Sequence, residues 1–378
     1  MSPARAIPTA LIAEGQRMAS ICNACRYCEG YCAVFPALER RLSFAAGDLA
    51  YLANLCHDCG SCYYACQYAP PHEFQLNFPK MLAEIRRATY RKYAWPGFLA
   101  ALFEHNGLVV SLITAASLAG FLLSMVFSLN RQDLLSAHPD SAGAFYALLS
   151  HSTLAWGFGT IFALAISALG VAAVRFWRDI GEAPATLLSA GPLGQSIDDA
   201  LRLTYLGGGG DGCTDSDDKP SQARRWYHQL TFYGFMLCFA ATCVATVYHY
   251  VLGRQAPYAF WSVPVLLGTV GGVALLAGPA GLLWLKAGRD PALGSAPQTG
   301  MDVGFLVLLL LVSGTGLLLL ALRETAAMGV LLAVHLGAVM ALFLTLPYGK
   351  FVHAIYRFTA LVRYHVERRR PVAELASE

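Results

Sequence analysis

The chain has 378 residues, of which 56% are hydrophobic and only 13% charged, with a mean hydropathy of +0.48 and a formal net charge of +3. That composition excludes an ordinary soluble protein and predicts a membrane protein carrying a soluble head. So small a charge excess also excludes a polyanionic partner, and no nucleic acid is expected.

At the N-terminus, Met1–Thr9 carries Arg5 and two prolines but no continuous apolar core. It is therefore expected to be neither a secretory signal nor a transit peptide, leaving the head on the side where it is made. Residues 22–66 then hold the pattern C-x2-C-x2-C-x3-C twice: Cys22, Cys25, Cys28 and Cys32, followed by Cys56, Cys59, Cys62 and Cys66. Each run has the thiol spacing that wraps a [4Fe-4S] cluster, so two such clusters are expected. A disulfide framework and structural zinc are the competing readings. Four clustered cysteines in one run, used twice, favour iron–sulfur over either, and thiolates of this kind stay reduced in the cytosol.

Residues 1–105 show neither βαβ periodicity nor a phosphate loop, and Ala33–Leu55 reads as helical, so the head is predicted to be an all-α, two-cluster ferredoxin-like domain. In small bacterial ferredoxins the fourth cysteine of each run ligates the other cluster. Here Cys32 is followed by Ala33 and Cys66 by Gln67, so spacing alone leaves the crossing open; the crossed arrangement is preferred because it ties the two halves together. His57 and His72 read as polar neighbours of the thiols, and Pro70-Pro71 as a rigid extended segment. Residues 81–93, with Arg86, Arg87, Arg91 and Lys92, read as a basic amphipathic helix on the cytoplasmic membrane surface.

Six apolar segments follow, near 107–129, 152–174, 230–252, 260–285, 303–322 and 328–356, each long enough to span a bilayer. They predict a six-helix transmembrane, cytochrome b-like domain over 106–357, with a cytoplasmic loop at 176–227 and a basic tail at 358–378. Arg175, Arg178, Arg202, Lys219, Arg224, Arg225, Lys286, Arg289, Lys350, Arg357, Arg363, Arg368, Arg369 and Arg370 fall on one side, against Arg131, Arg254 and Arg323 on the other. Both termini are thus expected in the cytoplasm, with the protein multi-pass in the inner membrane.

Histidine placement is the second signal, because ionisable side chains inside a membrane are costly and usually functional. His228 and His249 lie 21 residues apart on the third segment, and His335 and His353 lie 18 apart on the sixth. At ~1.5 Å per residue these pairs span about 31 and 27 Å, each pair near one helix face. With the helices antiparallel, His228 would meet His353 at the cytoplasmic level and His249 would meet His335 at the outer level. Such bis-imidazole sites suit b-type haem that only transfers electrons. His105 and His151 sit at the same two levels and are second-rank candidates, so one haem or two are both open.

The other features have plainer readings. Cys238 and Cys243 are expected to pack, and Gly271, Gly272, Gly278 and Gly281 to allow close helix contact. Pro347 is expected to kink the sixth helix. The segment Tyr205–Cys213, with four consecutive glycines, lacks the Lys-Ser/Thr of a nucleotide loop. Together with Asp215, Asp217 and Asp218 it reads as a loop that covers the head or touches a partner.

The doubled cysteine run, Cys66–Phe74, Tyr205–Cys213, and Arg224–His228 leading into Thr231–Phe235 together resemble the tricarballylate-utilization protein B family, also called the CitB type. The resemblance covers nearly the whole chain. It implies a membrane iron–sulfur and haem electron carrier that reoxidises the reduced flavin of a separate tricarballylate or citrate dehydrogenase. A related half of a cobalamin-pathway flavoprotein fusion shares the design. His335-x17-His353 with Leu346–Val352 is similar to the last helix of nitrate-reductase gamma-type cytochromes, though the third helix here spaces its histidines differently. The expected function is a relay from an FAD-dependent flavoprotein through the clusters and haem to quinone. No acid–base pair or hydride acceptor for substrate chemistry is evident, so a catalytic role of its own stays open. A redox sensor and a membrane subunit of a heterodisulfide-reductase-like complex are the alternatives.

Overall fold

The structure, a computed structural model, describes residues 6–128, 134–137, 143–216 and 219–370. Arg5, Arg131, Asp217, Asp218 and residues 371–378 of the expected tail lie outside the described residues. Among the described residues the chain is helical throughout, with one isolated bridge, Cys213 to Ser221, and no strand, as the all-α reading expects.

The head contains α1 (Thr9–Cys25), α2 (Val34–Leu38), α3 (Ala46–Leu55), α4 (Ser61–Tyr64) and α5 (Phe78–Tyr93). Local chemistry sets their ends. Asp48 in the first turn of α3 accepts from the Ala45 N–H, and Asn77 accepts from the Lys80 N–H ahead of α5, with Arg91 and Lys92 at its far end. The apolar face of α5, including Met81, Leu82 and Ile85, is buried against Leu49, Leu52 and Ala19. Arg86 is buried as well. This corrects the membrane-surface reading of 81–93: the stripe is amphipathic, but its apolar side fills the core of the head.

Two short helices, α6 (Gly97–Leu102) and α8 (Ala144–Leu148), flank α7 (Asn106–Ser128). Then come α9 (His151–Asp179), α10 (Ala190–Arg202), α11 (Ala223–Tyr250), α12 (Val263–Ala287), α13 (Ala296–Leu322), α14 (Met328–Thr345) and α15 (Val352–Glu367). Six helical stretches are long and apolar enough to cross a membrane: Gly97–Ser128, His151–Asp179, Ala223–Tyr250, Val263–Ala287, Pro297–Leu322 and Met328–Thr345. Small residues bring α11 and α12 together. A Cβ on Gly281 would lie 2.2 Å from the Tyr227 ring and one on Gly271 2.9 Å from Cys238, so both glycines are contact points.

The sixth segment differs most from expectation. Instead of one kinked helix over 328–356, the chain stops at Thr345, turns through Pro347-Tyr348-Gly349, and starts α15 at Val352. Pro347 has no N–H to continue the ladder, and the Gly349 N–H bonds back to the Thr345 carbonyl at 2.8 Å. The new helix leaves the apolar bundle and enters the head core, where Tyr356, Ala360 and Val362 join Leu38, Leu52, Phe176 and Trp177. Arg363 anchors it, bonded to Glu367 at 2.8 Å, to Asp48 at 3.4 Å and to the Ile180 carbonyl. The segment read as the start of a basic tail is therefore a buried strut of the head.

Candidate functional site

The eight run cysteines divide between two cavities. Cys22, Cys25, Cys28 and Cys66 line the larger, of about 380 Å³, together with Tyr27, Tyr64 and Gln67. Cys32, Cys56 and Cys59 line a smaller one with His57 and Tyr31. Cys62, Phe35 and Phe78 border both, so the cavities share a wall. Each grouping takes the fourth cysteine from the other run, which is the crossed pattern. Turns create it: Arg26 (φ 56°) ends α1 in the left-handed region, and Gly60 (φ 81°) turns the chain into α4.

The thiols fit a cationic cluster core. Burial, then the neighbouring Cys66 and Cys25, pushes Cys28 up to about 12, and burial likewise raises Cys22, Cys32 and Cys62. Thiolates this crowded need bound positive charge to ionise together, and iron supplies it. Cys59 departs from the rest. It accepts a hydrogen bond from the Cys213 thiol and another from the Ser61 N–H, and is lowered to about 6.

Cys213 belongs to the glycine loop, which caps the smaller cavity. The Thr214 N–H donates to the Cys59 carbonyl at 2.9 Å, and the Ser61 hydroxyl donates to the Gly212 carbonyl at 3.1 Å. Gly209 (φ 82°) runs so near Gly30 and Tyr31 that a Cβ there would stand 3.1 Å from the Gly30 carbonyl oxygen. Of the head, the loop covers the second cysteine run in particular. Asp215 is not part of a free acidic tip, since it pairs with Arg224 at 3.0 Å.

Behind this cavity lie four arginines. Arg86 and Arg357 each donate to the Cys56 carbonyl at 2.5 Å, and Arg224 and Arg289 each donate to the Asp58 carbonyl at 2.8 Å. Arg289 also pairs with the Asp58 carboxylate at 3.0 Å. Burial opposes the charge on that carboxyl, yet Arg289 and Arg86 beside it hold its pKa below the usual carboxylate range, so it stays ionised.

The inner histidines stand directly beneath. Arg224 is one helical turn before His228, and Arg357 one turn after His353, so the helices that grip the Cys56–Asp58 backbone also present the two imidazoles. Their ring centroids are 6.1 Å apart with the rings crossed at 85°. Two imidazoles bound on opposite sides of one metal atom, at ~2 Å metal–nitrogen bonds, have centroids about 6 Å apart. The Nδ1 of His353 is 2.6 Å from the Lys350 carbonyl, which can only accept; Nδ1 therefore carries the proton and Nε2 is left as a free donor atom. The Nδ1 of His228 is buried without a hydrogen-bond partner. This pair fits a bis-histidine haem. His105, in the turn before α7, is exposed.

The outer level is arranged differently. His249 stacks on His151, with centroids 3.6 Å apart and planes at 11°, and Tyr146 lies edge-on to both. His335 instead faces Thr315 on α13, its Nδ1 3.1 Å from the hydroxyl, and lies against Gly316. The structure thus brings His228 to His353 and His249 to His151, but does not bring His249 to His335.

Sequence reasoning named the four arginines as surface charges and Cys213 as part of the glycine loop, and gave none of them a place at the thiols. The available signal was the position of Arg224 and Arg357, each one turn from a ligand-candidate histidine on the side of the cysteine head.

Comparison with known proteins finds two adjoining family matches along the chain. A family model described as the citrate utilization protein B Fer4-like domain matches residues 15–92, and one described as citrate utilization protein B matches residues 104–374. The citrate utilization protein B of Escherichia coli is 54% identical over 362 residues, covering 95% of this chain and 93% of its own length. No solved structure matches. A Fer4-like head on a multi-pass apolar domain fits an electron-transfer role, and the chain belongs to the citrate utilization protein B family.

Proposed function

We propose that this protein carries electrons from the reduced flavin of a separate FAD-dependent dehydrogenase to quinone in the bilayer, in the use of citrate or tricarballylate. Cys22, Cys25, Cys28 and Cys66 would hold one [4Fe-4S] cluster, Cys32, Cys56, Cys59 and Cys62 a second, and His228 with His353 a b-type haem. Bound there, these groups supply the one-electron steps between a two-electron flavin and the membrane. The protein's own work is placement. The half-exposed thiols around Tyr27 and Gln67 leave the first set open to a partner, the 205–215 loop covers one side of the second, and the Lys350 carbonyl fixes the His353 tautomer.

One observation carries the reading: the second thiol cavity and the inner histidine pair are gripped by the same helix turns, through Arg224 and Arg357. The stacked outer pair would have to separate to admit a metal, so the reading takes one haem at the inner level. Lys and Arg bias supports the cytoplasmic face of the inner membrane for the head and both termini. The test is to purify the protein, measure iron, acid-labile sulfide and haem, then add the reduced flavoprotein followed by a quinone analogue. About eight non-haem irons and one haem are expected, with the haem reduced and then reoxidised; a haem that stays oxidised overturns the relay and favours a sensor.

A further inference from the structure

The two thiol cavities are alike in ligand count and unlike in charge. Resting on the two-cluster reading above, we infer that Arg86, Arg224, Arg289 and Arg357 hold a cluster in the Cys32, Cys56, Cys59, Cys62 set at a higher reduction potential than one in the Cys22, Cys25, Cys28, Cys66 set. The four guanidiniums converge on the carbonyls of Cys56 and Asp58 and are opposed by two carboxylates, Asp58 and Asp215. Arg357 has no carboxylate within ion-pair distance among the described residues; its bonds go to the carbonyls of Leu55 and Cys56. No charged side chain lines the first cavity, and the nearby Arg26 and Glu29 are exposed and opposite in sign.

Adding an electron to a cluster makes it more negative, so fixed positive charge in a poorly solvated place favours the reduced form. Hydrogen bonds to sulfur act in the same direction, and they too favour the second set. The Asp58 N–H reaches the Cys56 sulfur at 3.3 Å, and the Cys213 thiol and the Ser61 N–H bond the Cys59 sulfur, while among the described residues the first set has the exposed Gln67 amide, 4.0 Å from Cys25. Water around the first set opposes this ordering. Its effect is small here, because all four cysteines of that set are half-buried, as are Cys32, Cys59 and Cys62 of the other. The difference in charge is therefore larger than the difference in exposure. An electron that leaves the first cluster, oxidising it, enters the second, reducing it, with no proton or further reactant required. The arginines are positioning residues that make this transfer downhill towards His228 and His353.

The test is a redox titration of the purified holoprotein, with each cluster followed by electron paramagnetic resonance. Two separate midpoints are expected. In Arg357→Gln and Arg86→Gln, the reduced-to-oxidised ratio of the higher-potential cluster, read at its wild-type midpoint, should fall roughly tenfold, the effect of one charge over ~12 Å at an effective dielectric constant near 20. The lower-potential cluster should move less, because it lies farther from both arginines, and Arg357→Lys should restore the ratio. A larger shift in the lower-potential cluster, or a shift in neither, overturns the inference. Should the variants lose iron, wild-type protein answers alone. A water-soluble paramagnetic ion should broaden the lower-potential signal more, and stronger broadening of the higher-potential one overturns the ordering. Absence of iron and sulfide would instead sink the two-cluster reading itself.

Discussion

The inner and outer ends of the apolar bundle carry the same residue type in matched pairs, yet tertiary structure makes them different objects. At the inner end, His228 and His353 cross at 85° with their centroids 6.1 Å apart. At the outer end, His151 and His249 lie flat on one another at 3.6 Å. Crossed rings at that separation leave room for a metal between two nitrogens, whereas a flat stack leaves none. The cause of the difference is the turn at Pro347–Gly349, which frees His353 from the axis of α14 and aims it from the start of α15. His335, still on α14, stays tied to Thr315. Spacing along a helix therefore gave two equivalent levels, and one break in the backbone removed the equivalence.

Six substitutions, in four steps, test that contrast and the thiol sets beside it. The largest effect should come from His353→Ala or His228→Ala, which should abolish the bis-histidine absorption spectrum of the purified protein; an unaltered spectrum would move the ligand to His105. Next, Cys25→Ser or Cys59→Ser should each remove one cluster's paramagnetic signal while the haem spectrum remains, and retention of both signals would refute the grouping of thiols. Thr315→Val removes the hydroxyl facing half-buried His335. It should cost about 1–2 kcal/mol in thermal unfolding without changing the haem spectrum. The smallest effect is expected for His151→Ala, which loses a ring stack of about 0.5–1.5 kcal/mol and leaves the haem content at its wild-type value. A fall to half that content would establish an outer haem and erase the contrast.

Much of the fold was legible because its signals are local. Apolar runs of membrane length marked six helices long and apolar enough to cross a bilayer, and the small-residue spacing of α12 marked its contact with α11. Charge patterning was a poorer guide. Arg86 and Arg357 read as cytoplasmic surface charges, but they are turned inward to the Cys56 carbonyl, because that carbonyl would otherwise be buried beside them without a donor. The stretch 81–93 reads as an amphipathic helix on a membrane surface, whereas its apolar side packs in the head core. Periodicity reports that a face is apolar and says nothing of what covers it.

By itself the sequence determined the eight thiols, the six apolar helices and the set of histidines, since each depends on residue type and spacing within a single segment. Only the tertiary structure decided which cysteines share a cavity, which histidines meet, and where the arginine charge goes. Those are contacts between segments far apart in the chain, such as Cys66 with Cys22, or Arg357 with Cys56. They follow from turns at Gly60 and Pro347 and from burial in a common core, and no spacing within one segment encodes them.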